Sequence, residues 1–322
     1  MIKVIALAVV AALAMIVPAA GQATKLPDVP IKLVAGFVAG GSGDIFARLI
    51  GQHMERTLQR TIIIENKAGA GGRTASYDVS RATPDGTTLL VANISNGVLV
   101  PLTFSDAKYH PLKDFTPLGT GADFQIAFAT GPMTGAKDLK SLLAWMKANP
   151  EKSVYAVPGL GSIPHLYGLQ LDRAHALDMR MLQMRGGAPI ANDLLAGQIP
   201  MGVAGTADFA ELHRGDRIKI VAVSGTSRAP GFEDVPTFAE QGFPGFESNG
   251  WIAVFGPKAM AKDLQDLLAD AVAKALRDPD VQARLIALGM IPKPGTPADL
   301  VAQIERDIVK WEPLIEAAGI KK

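Results

Sequence analysis

The chain has no cysteine among its 322 residues. Disulfides and a lipid-modified N-terminal cysteine are therefore excluded, and the fold must stand on its own core. An excess of one charge is also missing, with 32 Lys+Arg against 31 Asp+Glu and no basic stripe. This argues against nucleic acid or an anionic membrane surface as partner, and any bound anion must be held by local geometry. Long apolar runs are scarce. The longest, Val4–Val17, is too short to span a bilayer comfortably. Five scattered histidines give no HxxxH-type metal spacing.

Catalytic and cofactor motifs are lacking as well. GLGS ahead of Ile163 is not a GxSxG elbow, and no Ser–His–acid order stands out. GFVAGG lacks the GxGxxG dinucleotide fingerprint, and GAGG at Gly69–Gly72 is followed by Arg73 instead of GK[ST]. The expectation is a protein without cofactor or metal, and not an enzyme.

What is present begins with Lys3, the apolar run and the small residues Ala19, Ala20, Gly21 and Ala23. This is the pattern of a secretory signal, expected over residues 1–23, with cleavage after Ala19, Ala20 or Ala23. Once Lys3 leaves with it, 31 charges of each sign remain. About 300 residues then suffice for two domains.

The stretch Ile31–Ile50, IKLVAGFVAGGSGDIFARLI, organises the rest. An apolar run meets a turn rich in glycine, then an amphipathic segment carrying Ile45, Phe46, Leu49 and Ile50. Strand, glycine loop and helix start aim free backbone N–H groups outward, where orphan donors and helix dipole both favour an anion. The same loop also serves simply to turn the chain. Thr61–Glu65 and Thr87–Ile94 read as further strands, with a helix over 74–82 between them. This β–α–β–α–β grammar predicts a parallel sheet with ligands beyond the C-terminal strand ends. Loops 36–44, 66–73 and 95–97, the last opening with Ser95, all leave on that side.

Phe124–Thr130, Ser153–Val157, Met179–Met184, Ile199–Gly205 and Ile218–Gly225 read as strands with interleaved helices. Trp251–Phe255 is a strand followed by three helices, and the face Leu300, Ile304, Ile308, Trp311, Ile315 is core by its period. The expected organisation is two α/β domains around a hinged cleft: 24–120 with 228–322 as the first, and 121–227 as the second.

Three glycine-bearing loops, 36–44, 158–165 and 185–189, are placed to converge as a carboxylate clamp. Ser42 and Ser162 serve either as helix caps or as ligand donors. His165, at a helix start, either donates to ligand or is structural. Arg185 either meets a ligand carboxylate bidentately or is solvated. Asp44 opposes a carboxylate by like charge and is read as a cap that locks the first loop. Phe37 is the candidate apolar wall.

The segments IKLVAGFVAGGSGDIFARLI, IIIENKAGAGGR, ATPDGTTLL, HPLKDFTPLG, PGLGSIPH, RGGAPIANDLLAGQI, DVPTFAEQGFPGF and WIAVFGPK closely resemble the Bug or TctC-like solute-binding proteins of tripartite tricarboxylate transporters. The resemblance spans nearly the whole chain after the signal. It implies a type II-like periplasmic binding fold of the Venus-flytrap kind. It also implies a monomer in the periplasm that hands a small organic carboxylate to membrane permease subunits. A ligand sensor presenting its cargo to a membrane receptor and an exported enzyme acting on small acids are the alternatives. By the resemblance, Phe37, Gly40, Gly41 and Ser42 hold one carboxylate, with Ser95 beside them. Gly159, Ser162 and His165 form the second-domain loop, and Arg185, Gly186, Gly187 and Pro189 the opposite clamp. Gly36 replaces the family's usual proline, Gly43 its threonine or serine, Met184 a tyrosine and Arg73 an asparagine. VAGTAD at Val203–Asp208 lacks the usual Phe–Asp element. These departures point to an aromatic or partly apolar acid in preference to citrate.

Overall fold

A computed structural model describes residues 25–321; the expected signal segment, 1–23, lies outside the described residues. Strand β1 (Ile31–Ala35) leads through the glycine loop into α1 (Ser42–Leu58), β2 (Ile62–Asn66), α2 (Arg73–Ser80) and β3 (Thr88–Asn93). β1 pairs in parallel with both β2 and β3, the pairing that strands joined through crossing helices adopt. Helix α1 buries Phe46, Ile50 and Met54 completely against this sheet. Full burial of such side chains stabilises by ~1.5–3 kcal/mol each.

After a π-helical segment at Ser95–Leu99 that continues into a single α-helical turn at Val100–Thr103, β4 (Phe115–Phe124) and β5 (Ile126–Thr130) follow one another with only Gln125 between them. The single strand expected at Phe124–Thr130 is thus the end of one strand and the whole of the next. The second set runs α3 (Leu139–Ala148), β6 (Val154–Val157), α4 (Ile163–His175), β7 (Arg180–Gln183), α5 (Gly187–Leu195), β8 (Met201–Gly205), α6 (Thr206–Arg214) and β9 (Lys219–Val223). The chain then returns through β10 (Gly250–Pro257), α7 (Lys262–Arg277), α8 (Pro279–Ala287), β11 (Met290–Pro292) and α9 (Pro297–Ala318).

Two sheets result, ordered β11-β4-β10-β3-β1-β2 and β7-β6-β8-β5-β9. Neither is wholly parallel. β10 runs antiparallel to β3 and β4, and β5 antiparallel to β8 and β9, because each enters its sheet from the other one. All eight residues of β10 are buried, so this strand forms the spine of the first sheet. Local signals fix the ends of the last helix. Thr296 and Asp299 form a reciprocal capping box, Pro297 opens the helix, and Gly319 closes it in the left-handed conformation.

The passage between sheets is tied by a few polar bonds. The Ser224 hydroxyl accepts from Ile126 N–H at 2.9 Å, and the Gln125 amide donates to Ser227 O at 2.6 Å. Gly225 there has φ +97, and a Cβ on it would lie 2.6 Å from Gln125 Nε2. Two strands linked through one residue, plus one return segment, make a hinge between the two lobes.

Candidate functional site

The C-terminal ends of β1 and β3 in one lobe face those of β6 and β8 in the other across a cleft. Its space is about 480 Å³ including the open mouth. Phe37, Ile94, Phe124, Ile126, Pro158, Ile163 and Pro164 supply apolar wall, while Ser42, Asn93, Ser95 and Asp208 supply polar groups. Asp208 is the one acidic side chain among the described residues that line it.

The centre of the cleft is built from helix starts. α1 begins at Ser42, α5 at Gly187 and α6 at Thr206, and all three N-termini meet at the Asp208 carboxylate. Asp208 Oδ1 accepts from Ser42 N–H at 2.8 Å, a contact between the lobes, and Oδ2 accepts from Gly205 N–H at 3.0 Å. The second bond is half of a capping box at the third position of α6. Gly187 lies directly under the same group, since a Cβ on it would fall 2.1 Å from Asp208 Cγ. A Cβ on Gly41 would stand 3.2 Å from Asp208 Oδ1. The Ser42 hydroxyl is buried beside this carboxylate. Burial pushes the Asp208 carboxyl above its ordinary range, and bonds from Ser42 and Gly205 only partly offset this.

The first loop is locked from behind. Asp44 accepts from Gly40 N–H at 3.0 Å and from Arg48 Nε at 2.9 Å. Burial alone would raise the Asp44 carboxyl, but the bonds from Arg48, Gly40 and Asn66 hold it below its ordinary value. Asn66 also donates to Phe37 O at 3.1 Å, fixing the loop to β2. On the neighbouring strand end, Asn93 Oδ1 accepts from Ser95 N–H at 2.9 Å and Asn96 N–H at 3.3 Å, which presents Ser95 to the cleft.

Of the residues singled out in the sequence, the structure brings Phe37, Gly41, Ser42, Ser95 and Gly187 together on the cleft wall. Gly40 lies just behind, facing Ala188, and Gly186 packs on Phe37 and Val38. Pro189 sits in the first turn of α5, away from the lining. Gly159 packs against Gly71, in the opposite lobe. Ser162 is turned into its own loop: its hydroxyl donates to Gly159 O at 2.7 Å and accepts from His165 N–H at 3.3 Å. His165 is buried, with Nδ1 accepting from Gly161 N–H at 3.2 Å. Arg185 contributes its carbonyl, which accepts from Val38 N–H at 3.2 Å, while the residue is exposed and lines a neighbouring groove with Ala68–Gly72. Asp208 was missed, although GTAD at a strand–helix junction carries its signal, an acid three residues after the N-cap. Among the described residues no group of His, Asp and Glu could hold a metal ion, and no helix is long and apolar enough to cross a membrane.

Comparison with known proteins places this geometry in a lineage. The model of the TctC family, the tripartite tricarboxylate transporter family receptors, matches residues 46–320. A UPF0065 protein of Bordetella bronchiseptica is 31% identical over 96% of this chain and 91% of its own. The structure of the periplasmic binding protein BugD superposes with a TM-score of 0.88 at 30% identity, covering 92% of this chain and 99% of that one. MatC from Rhodopseudomonas palustris, solved with bound malate, gives 0.84 at 30% identity over 90% of this chain and 99% of its own. The fold is that of the periplasmic binding proteins, two α/β lobes around a hinged cleft.

Proposed function

The chain belongs to the TctC family of tripartite tricarboxylate transporter receptors, and on that premise we propose that it captures a small organic carboxylate between its lobes and delivers it to membrane permease subunits. The observation that carries the reading is the convergence of three helix N-termini on one carboxylate position, with Ser42 N–H and Gly205 N–H aimed at it. Backbone donors at converging helix starts make a centre for an anion without a cationic side chain, a place held in this structure by the Asp208 carboxylate. Malate in the R. palustris neighbour belongs to the same chemical class. The apolar wall of Phe37, Ile94, Phe124, Ile126 and Ile163 would take the body of the acid.

In this reading Phe37, Gly41, Ser42, Ser95 and Gly187 touch the ligand. Gly40, Gly186 and Pro189 shape the loops, and Gly159, Ser162 and His165 support them. The lobes, 24–120 with 228–322 and 121–227, close by rotation at Gln125 and the 224–249 return. The leader at 1–23 exports the chain to the periplasm, where it acts as a monomer. No nucleophile is activated in the cleft, so the ligand leaves unchanged. The test is thermal stabilisation of the purified protein by a carboxylate library, with recovery of the ligand. A shift with ligand intact supports a receptor, because binding to the native state alone raises stability by mass action. Reproducible conversion of the ligand would instead make the protein an enzyme.

A further inference from the structure

The chain's own Asp208 carboxylate stands at the anion centre. It takes the Ser42 donor across the lobes at 2.8 Å while Gly187 lies bare beneath it. Its two bonds differ in kind. The one to Gly205 lies within the cap of α6 and survives separation of the lobes, whereas the one to Ser42 joins the lobes and is open to exchange. A ligand carboxylate directed at Ser42 N–H must take that donor from Asp208, and the displaced charge then stays tethered beside it.

Among the described residues that line this cleft there is no Lys, Arg or His to neutralise a further anion. The nearest charged pair on α1, Asp44 with Arg48, is closed on itself at 2.9 Å behind the loop. Three N-termini can share one ligand charge and the Asp208 charge, but a second ligand carboxylate would find like charge and apolar wall. We infer that Asp208 makes the cleft selective for singly charged acids with an apolar body over di- and tricarboxylates. This inference rests on the carboxylate-receptor reading above.

Matched pairs that differ only by a second carboxylate test it: butanoate against succinate, hexanoate against adipate, and benzoate against phthalate. Each is titrated calorimetrically into wild type and Asp208→Asn at pH 7.5. The asparagine keeps an amide oxygen for Gly205 N–H, so the cap of α6 is preserved; Asp208→Ser, whose hydroxyl also accepts, provides an independent variant, and circular dichroism checks both folds. The wild type is expected to prefer the single-charge member of at least one pair by about tenfold or more, the size of one added like-charge contact even when largely screened by water. Removing the Asp208 charge should shrink that ratio severalfold by strengthening the dicarboxylate more than its partner. Preference of the wild type for the dicarboxylates, or a ratio unchanged in both folded variants, overturns the inference while leaving the receptor reading intact. Loss of the single-charge acid in Asp208→Asn also overturns it, by making Asp208 a direct ligand partner. Silence from every acid with all three proteins overturns the receptor reading itself, and the inference falls with it.

Discussion

Gly187→Ala probes the anion centre with a single methyl group. The added Cβ would lie 2.1 Å from Asp208 Cγ and 2.3 and 2.5 Å from its oxygens, so the carboxylate must move. The helical position itself accepts alanine, which regains up to ~1 kcal/mol of helix propensity over glycine. Against that gain stands the lost bond between Ser42 N–H and a charged acceptor, ~1.5–3 kcal/mol, and a weakened α6 cap, ~0.5–2 kcal/mol. The net expectation is destabilisation by about 1–4 kcal/mol, well above the scatter of urea midpoints at constant m. The same methyl group should cost nearly nothing once Asp208 is already alanine, because the clash and both bonds are gone. The four proteins form a double-mutant cycle, with an expected coupling of about 1–4 kcal/mol. An equal cost of Gly187→Ala in both backgrounds would refute the packing of these three helix starts around Asp208.

Other expectations follow from neighbouring groups. The Asp208 carboxyl is raised above 3.8, its ordinary value, so the folded state holds that proton more tightly than the unfolded chain. Wild type should therefore gain stability relative to Asp208→Asn as pH falls from neutral through the raised value, and gain no more below about 3.8; paired urea melts across that window would show it, and a growing deficit of wild type would contradict it. Arg185→Ala should leave affinity for the tightest carboxylate within about twofold, because the exposed side chain lies outside the cleft lining and the carbonyl that meets Val38 is retained; a tenfold loss by calorimetry would put the guanidinium on the ligand. Ser162→Ala should cost ~1 kcal/mol in urea as a lost N-cap, with little change in ligand affinity; the reverse pattern would make the hydroxyl a ligand donor.

Much of the fold was legible because its signals are local. IKLVAGFVAGGSGD reads as strand, turn and helix start from neighbouring residues alone, and Thr296–Pro297 with Gly319 marks both ends of the last helix. Strand partners were less legible. The run from Phe115 to Thr130 mixes apolar residues with Thr116, Thr120, Asp123 and Gln125 in no clear period, and nothing in it tells that Phe124 pairs in one sheet and Ile126 in the other. The direction of β10 likewise depends on the side from which the chain returns, not on WIAVFGP.

At the site, the first loop could be read because its donors and its helix dipole belong to one segment. Ser162 and His165 looked equally suited to a ligand, yet the hydroxyl and the ring nitrogen each have a partner within four residues. Asp208 escaped notice for the opposite reason. Its interlobe partner, Ser42, is 166 positions away, and only the closed tertiary arrangement brings a cap residue of one helix to the start of another.

The central claim is that backbone donors at the start of α1 hold a ligand carboxylate. Its most direct measurement is calorimetric titration of the tightest acid from the library into wild type and Gly41→Val, with circular dichroism on both. A branched side chain at Gly41, whose Cβ alone would already stand 3.2 Å from the anion position now held by Asp208 Oδ1, should fill the approach to Ser42 N–H. Wild type is expected to show one-site binding, and the variant, with its fold kept, a loss of about 100-fold or more, or complete loss. Unchanged affinity in folded Gly41→Val would remove the first loop from the site and contradict the account.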